Sequence, residues 1–252
     1  MAHLHRQAIP INPFLDDWLI HNSSLSLTLT NTNAILALAV WLGLIPSLEK
    51  SSLAPSQRIQ FIGMDLDLVQ GLVYPTRVNV GKMEYAATAV ISATHVTARQ
   101  LLSLLGMLNH LAPMIPMGRL HMRPIQLHLL ELWRPSRGRL SDLVPVHSPL
   151  RHHLRWWLQR HKTLQGVPLV SPSATVSLFT DASLLGWGAH VEGESVAGTW
   201  TKDQSHRHIN WLELAAVFLA LKHFQHRLQH KCVLIHSDNT TVVAYINHQG
   251  GT

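Results

Sequence analysis

Three carboxylates, each set in its own short motif, limit what this chain of 252 residues can fold into more than any other feature. Asp181 lies in Thr-Asp-Ala-Ser, Glu213 in Trp-Leu-Glu-Leu and Asp238 in Ser-Asp-Asn-Thr. The first follows the apolar run Val176 to Phe179 and the third ends the run Cys232 to Ile235, and short runs of this kind read as strands. Between them Leu212, Ala216, Leu219, Ala220 and His223 recur at the three- and four-residue spacing of one helix face. The pattern predicts strands near 176–180, 186–192, 196–200 and 232–236 and a helix over 210–229. A second helix follows, capped by Asn239 or Thr240 and ended by Gly250-Gly251. Two strand ends and an intervening helix can bring three acids to one point. An all-oxygen donor set suits Mg²⁺, with Mn²⁺ as a substitute. A carboxylate cluster holding two such ions supports in-line attack of water on a phosphodiester.

Each acid also has an ordinary reading. Asp-Ala-Ser and Asp-Asn-Thr are common cap and turn sequences. Glu213 stands three residues after Asn210, where a capping-box acid would stabilise the helix by about 1 kcal/mol and do nothing else. Against that, Leu212 and Leu214 place Glu213 near a buried helix face, where a lone carboxylate is costly unless something compensates its charge. The order Asp, helical Glu, Asp is what raises the ligand reading above the others.

Residues 178–252, from Leu-Phe-Thr-Asp-Ala-Ser to Asn-His-Gln-Gly-Gly-Thr, closely resemble the ribonuclease H domain of retroelement reverse transcriptases, and within them the DIRS-like group whose elements use a tyrosine recombinase. The resemblance continues upstream. Phe14-Leu15-Asp16-Asp17-Trp18-Leu19-Ile20 is similar to the Tyr-x-Asp-Asp box of the polymerase palm, with Phe in place of Tyr. Gly43-Leu44 with Glu49-Lys50-Ser51, and Phe61 to Asp67, resemble the next two palm motifs, the second being the hairpin that grips the primer. Arg119-Leu120-His121-Met122-Arg123-Pro124 resembles the passage from thumb to connection. The resemblance implies an α/β chain, α+β overall: the C-terminal part of a palm over 1–75, a mostly helical thumb and connection over 76–174, and a ribonuclease H-like mixed-sheet domain over 175–252. It implies RNA-directed DNA synthesis and hydrolysis of RNA in RNA–DNA hybrids as the parent activities. Asp181, Glu213 and Asp238 would then be catalytic metal ligands, Asp16 a remnant polymerase ligand and Asp17 its neighbour in the catalytic pair. Arg119, Arg123, Arg151 and Arg155 would meet the phosphates of a hybrid or template–primer. In the family a fourth acid opens a helix beyond the position of Thr252, and the palm's other metal-binding Asp precedes Met1. The chain is therefore expected to extend no primer and to cleave poorly alone, with the missing polyprotein parts as partners. The competing reading is a decayed copy that only binds nucleic acid, with salt-sensitive affinity and no Mg²⁺-dependent cleavage.

Elsewhere the pattern predicts a hairpin over 9–22, weakened by Pro10 and Pro13, and a buried helix over 31–44 stopped at Gly43. A hairpin over 59–73 turns at Gln70-Gly71, and helices cover 98–111, 124–133 and 153–161. Stretches 134–148 and 165–174 read as linkers. Charged residues make up 13% of the chain, well below the roughly 25% of ordinary soluble domains, yet the net charge is +6. That excess fits a polyanionic partner. A single cysteine, Cys232, excludes an internal disulfide and reads as a small buried strand residue. The 19 histidines form no complete ligand set in sequence. No secretory signal opens the chain and the apolar run 34–45 is too short to span a bilayer, so the sequence reads as intracellular, in nucleus or cytoplasm. Trp156 and Trp157, adjacent on a helix, read as core anchors rather than base-stacking residues.

Overall fold

The computed structural model describes residues 4 and 6, 9–134 and 137–250. The first layer is small. Strands β1 (Ile11–Phe14) and β2 (Asp17–Ile20) pair antiparallel, with Phe14 opposite Asp17 and a two-residue turn at Leu15-Asp16. Helix α1 (Leu25–Trp41) packs on them through Ile35 and Leu38, which join Ile9, Ile11, Trp18 and Ile20. Ser24 caps α1 by accepting from the N–H of Leu27. The helix starts earlier than the sequence predicts and is not buried. Only Thr32, Ile35 and Ala39 lie inside, while Val40, Trp41 and Ile45 beyond its end are exposed.

The predicted hairpin over 59–73 is a three-stranded meander: β3 (Arg58–Phe61), β4 (Met64–Asp67) and β5 (Leu72–Pro75). A second tight turn makes the difference. Ile62 and Gly63 both adopt positive φ, the conformation a two-residue antiparallel turn requires. Helix α2 (Arg77–Ser92) follows, then β6 (His95–Thr97) and α3 (Ala98–Leu111). The predicted bounds of α3 hold. Thr97 and Gln100 form a full capping box, Leu101, Leu104, Leu105, Leu108 and Leu111 supply one buried face, and a 3₁₀ turn at Ala112–Met114 ends it. Helix α4 (Gly118–Leu132) begins six residues before the predicted start. Pro124 lies inside it, not at its first position as the predicted range of 124–133 would have it.

Both predicted linkers contribute strands. Leu143–Pro145 forms β7 against β6; positions 135 and 136 of that stretch lie outside the described residues. Helix α5 (Ser148–Trp157) and the single turn α6 (Arg160–Thr163) lead to β8 (Val167–Pro168), which extends the meander by pairing with β5. One hydrophobic core joins Val73, Val80, Met83, Leu101, Leu104, Leu108, Ile125, Leu150, Leu154 and Trp157, so the meander shares its core with helices α2 to α5. Trp157 is fully buried there, as an anchor should be. Trp156 instead stacks on His121 at 3.8 Å between centroids.

The last unit is a four-stranded sheet in the order β11-β10-β9-β12, built from β9 (Val176–Ala182), β10 (Gly186–Val191), β11 (Glu194–Thr199) and β12 (Val233–His236). β10 runs antiparallel to β9 and β11, and β12 runs parallel to β9. The turn α7 (Lys202–Ser205) leads to helix α8 (Ile209–His223), the turn α9 (Gln225–Leu228) and, after β12, helix α10 (Thr240–Asn247). Val176, Leu178, Ala189 and Val191 on one face of the sheet pack against Ala220, Phe224 and Leu228. His223 is exposed and is not part of the helix's buried face. Cys232 precedes β12 and is only partly buried. Gly250 closes the region after α10, while Gly251 lies outside the described residues. The whole is a mixed α+β chain of several sheets. Among the described residues, no helix is long and apolar enough to cross a membrane.

Candidate metal centre

The parallel register of β12 on β9 sets Asp181 and Asp238 side by side. His236 lies opposite Phe179, and the same offset carries Asp238 level with Asp181. Asp181 is still within β9, opposite Gly188 of β10, whereas Asp238 lies just past the end of β12. Glu213 reaches them from α8. The helix is capped not by Asn210 but by His208, whose Nδ1 accepts from the N–H of Asn210. Glu213 therefore sits in the second turn and has no capping role. Leu212, Ala216 and Ala220 bury this side of the helix and carry Glu213 inward with them, leaving it 4% exposed.

Each of Asp181, Glu213 and Asp238 offers a carboxylate oxygen within 4.8 Å of the others. The Ala182 backbone N–H donates to the Glu213 carboxylate. Its Oε2 is buried with no partner at all. Burial, above all, pushes the Glu213 carboxyl above the usual carboxylate range, and the nearby charges of Asp181 and Asp238 add to this, while the Ala182 bond acts the other way. A buried acceptor left unpaired among negative charges is a costly arrangement. A divalent cation removes that cost, and three carboxylate oxygens are the donors that Mg²⁺ or Mn²⁺ prefers. The residues present therefore fit such an ion.

The loop beside the site is fixed by its own hydrogen bonds. Ser183 Oγ accepts from the N–H groups of Leu185 and Gly186, and Trp200 Nε1 donates to the Ser183 carbonyl. Asn239 caps α10 by accepting from Thr241 and Val242. The cap at Asn239 is readable from Ser-Asp-Asn-Thr; the Ala182 donor, a backbone group, leaves no trace in sequence.

The other candidate residues lie elsewhere. Asp16 occupies the β1–β2 turn and Asp17 the first position of β2, both exposed. Among the described residues, no third metal-ligating side chain joins them. Arg155 is exposed on α5 and Arg119 half-buried on α4. Arg123 donates to Gln126, and its Nε is buried without a partner. Arg151 donates to the carbonyls of Ile91 and Ala93, closing the C-terminal end of α2.

No family model matches the sequence, and no curated protein matches it. Solved structures do resemble it. The foamy viral protease-reverse transcriptase with an RNA/DNA hybrid superimposes with a TM-score of 0.55 at 15% identity, over 93% of this chain and 31% of that one. A dRH form of that protein in complex with double-stranded DNA gives 0.53 at 15% identity, over 93% and 40%. A further complex of it with double-stranded DNA gives 0.52 at 16% identity, over 96% and 49%. This chain thus has the fold of part of a reverse transcriptase, and spans less than half the length of each of these three chains.

Proposed function

We propose that this chain is a fragment of a retroelement reverse transcriptase with a ribonuclease H domain, of the DIRS-like group that its motifs resemble. The polymerase portion would be the end of a palm over 1–75 and a thumb and connection over 76–174, with the ribonuclease H domain beginning near residue 175. The parent activities are RNA-directed DNA synthesis and hydrolysis of the RNA strand of an RNA–DNA hybrid. The observation that carries this reading is the meeting of Asp181, Glu213 and Asp238 around a buried, unpaired oxygen.

Asp181, Glu213 and Asp238 would hold Mg²⁺. When bound, the metal supplies an activated water and neutralises charge on the leaving oxygen. The protein's own part is positional. The β9–β12 register fixes the two aspartates, α8 brings the glutamate, and the Ala182 N–H orients its carboxylate. Arg119, Arg123 and Arg155 would meet phosphates of the duplex, and Arg151, bonded to the Ile91 and Ala93 carbonyls, would hold the end of α2. Choice of the RNA strand would rest on its 2′-hydroxyl.

The test joins this chain to the downstream segment of an intact element and measures cleavage of RNA paired to DNA. Mg²⁺-dependent cleavage, lost on Asp181→Asn with hybrid binding retained and weakened by salt, is the expected result. A joined protein that folds and binds hybrid without cutting it would leave a nucleic-acid-binding remnant as the correct reading.

A further inference from the structure

The three carboxylates repel one another when no cation is bound. Two of them sit on separate pieces of chain: Glu213 on α8, and Asp238 on the short segment between β12 and α10. Among the described residues, one side-chain hydrogen bond crosses between them. Asn239 Nδ2 donates to Asn210 Oδ1 at 3.0 Å, in a partly buried position. Asn210 stands one turn before Glu213 on α8, and so on the same side of the helix. Asn239 is the residue after Asp238. The bridge therefore joins the two ligands' supports within one residue on one side and one turn on the other.

The orientation of the Asn239 amide is fixed by its neighbours. Asn239 Oδ1 accepts from Thr241 and Val242 at the start of α10, so its Nδ2 must face Asn210. The N–H of Asn239 donates to Ser237 Oγ, which pins the backbone on the other side of Asp238. On α8 the N–H of Asn210 donates to His208 Nδ1, leaving the Asn210 side chain free for the bridge. The amide pair carries no charge. It neither competes for a cation nor depends on one.

We infer that Asn210 and Asn239 are positioning residues that hold Glu213 and Asp238 at ligand spacing before the metal arrives. The inference rests on the metal-centre reading above. Preorganisation of this kind appears as metal affinity, because a site already assembled spends none of its binding energy on drawing its ligands together.

The experiment titrates Mn²⁺ into the whole 252-residue chain by calorimetry, alongside melting of each variant in a chelator. Asn210→Ala removes the bridge and keeps both helix caps, since the backbone N–H at 210 and the Asn239 oxygen remain. Asn239→Thr keeps a capping oxygen and loses the bridging donor. Each should weaken Mn²⁺ binding by about tenfold, the low end of what outer ligand supports contribute. The double variant should bind no more weakly than the weaker single, because both changes break one contact. Ser195→Ala, which removes the His190–Ser195 bond at 3.0 Å in the β10–β11 hairpin, should shift melting without changing affinity. Unchanged affinity in Asn210→Ala, or losses that add in the double variant, overturns the bridge and leaves the metal centre standing. A parent chain that binds no Mn²⁺ removes both.

Discussion

The chain carries two acidic sites at strand ends, and they differ in what surrounds them. At Leu15-Asp16-Asp17 two carboxylates are neighbours in sequence on one hairpin turn, and both face solvent. At the other site, residues from positions 181, 213 and 238 come from a strand, a helix and the segment just after a second strand, and the central one is buried. Adjacent acids on a turn are solvated and cost little. Acids brought together by a packed sheet and helix lose part of their hydration, and the arrangement is tolerated only where something compensates. The second site therefore contains stored electrostatic cost, of the kind a bound cation would relieve.

The sharpest test of this contrast is cleavage by the chain joined to its downstream segment. Asp181→Asn, Glu213→Gln and Asp238→Asn should each lower hybrid hydrolysis by about a hundredfold or more, because an amide supplies no negative charge to the metal. Asp16→Asn should leave hydrolysis unchanged. A comparable loss from Asp16→Asn would erase the distinction between the sites.

Next in size is the scaffold. Leu178 is fully buried in β9, two strand positions before Thr180 and on the same face. Leu178→Ala should cost about 3 kcal/mol and lower the melting temperature by roughly 10 °C. Leu15→Ser, at an exposed hairpin position, should change it by less than about 2 °C. Calorimetric melting measures both.

Removal of the buried charge should stabilise the metal-free protein. The Glu213 carboxyl is raised in the folded state, so its contribution is fully favourable below the unfolded carboxylate pKa and is lost as pH rises through the folded value. Near neutral pH, Glu213→Gln should raise the melting temperature by about 3 °C, equivalent to roughly 1 kcal/mol, while abolishing stabilisation by added Mg²⁺. Asp16→Asn should do neither. A metal-free Glu213→Gln protein that melts lower than its parent would contradict the stored cost.

The smallest effect sets Glu213 against Glu84, the same side chain moved in the opposite direction. The Arg160 guanidinium binds Glu84 through two hydrogen bonds of 2.8 and 2.7 Å and holds its carboxyl below the usual range. Stability from this pair is present above the unfolded carboxylate pKa and lost as pH falls through the folded one. In Arg160→Ala, an NMR titration should find Glu84 moved up, with Glu213 untouched.

Much of this was legible in the residues. Helix α3 could be read to its ends because Thr97, its leucine spacing and Pro113 all act locally. The strands β9 and β12 were legible from short apolar runs, and the three acids from the motifs around them. Other features were not. β8 is two residues long, one of them proline, and is a strand only because β5 supplies a partner. Helix α8 begins at a histidine cap, and a histidine in sequence does not announce that its ring nitrogen will accept from the backbone. The apolar run after residue 34 reads as buried, yet among the described residues Val40, Trp41 and Leu42 on and after α1 stay exposed.

Sequence alone determined which groups carry charge, which segments favour helix or strand, and the order in which the acids arrive, because these are properties of residues and their near neighbours. Tertiary structure decided the rest. The register of β12 on β9, the burial of one face of α8 and the contact between Asn210 and Asn239 arise from packing between segments far apart in the chain. Distances between carboxylates, and the cost of holding them together, exist only once that packing has formed.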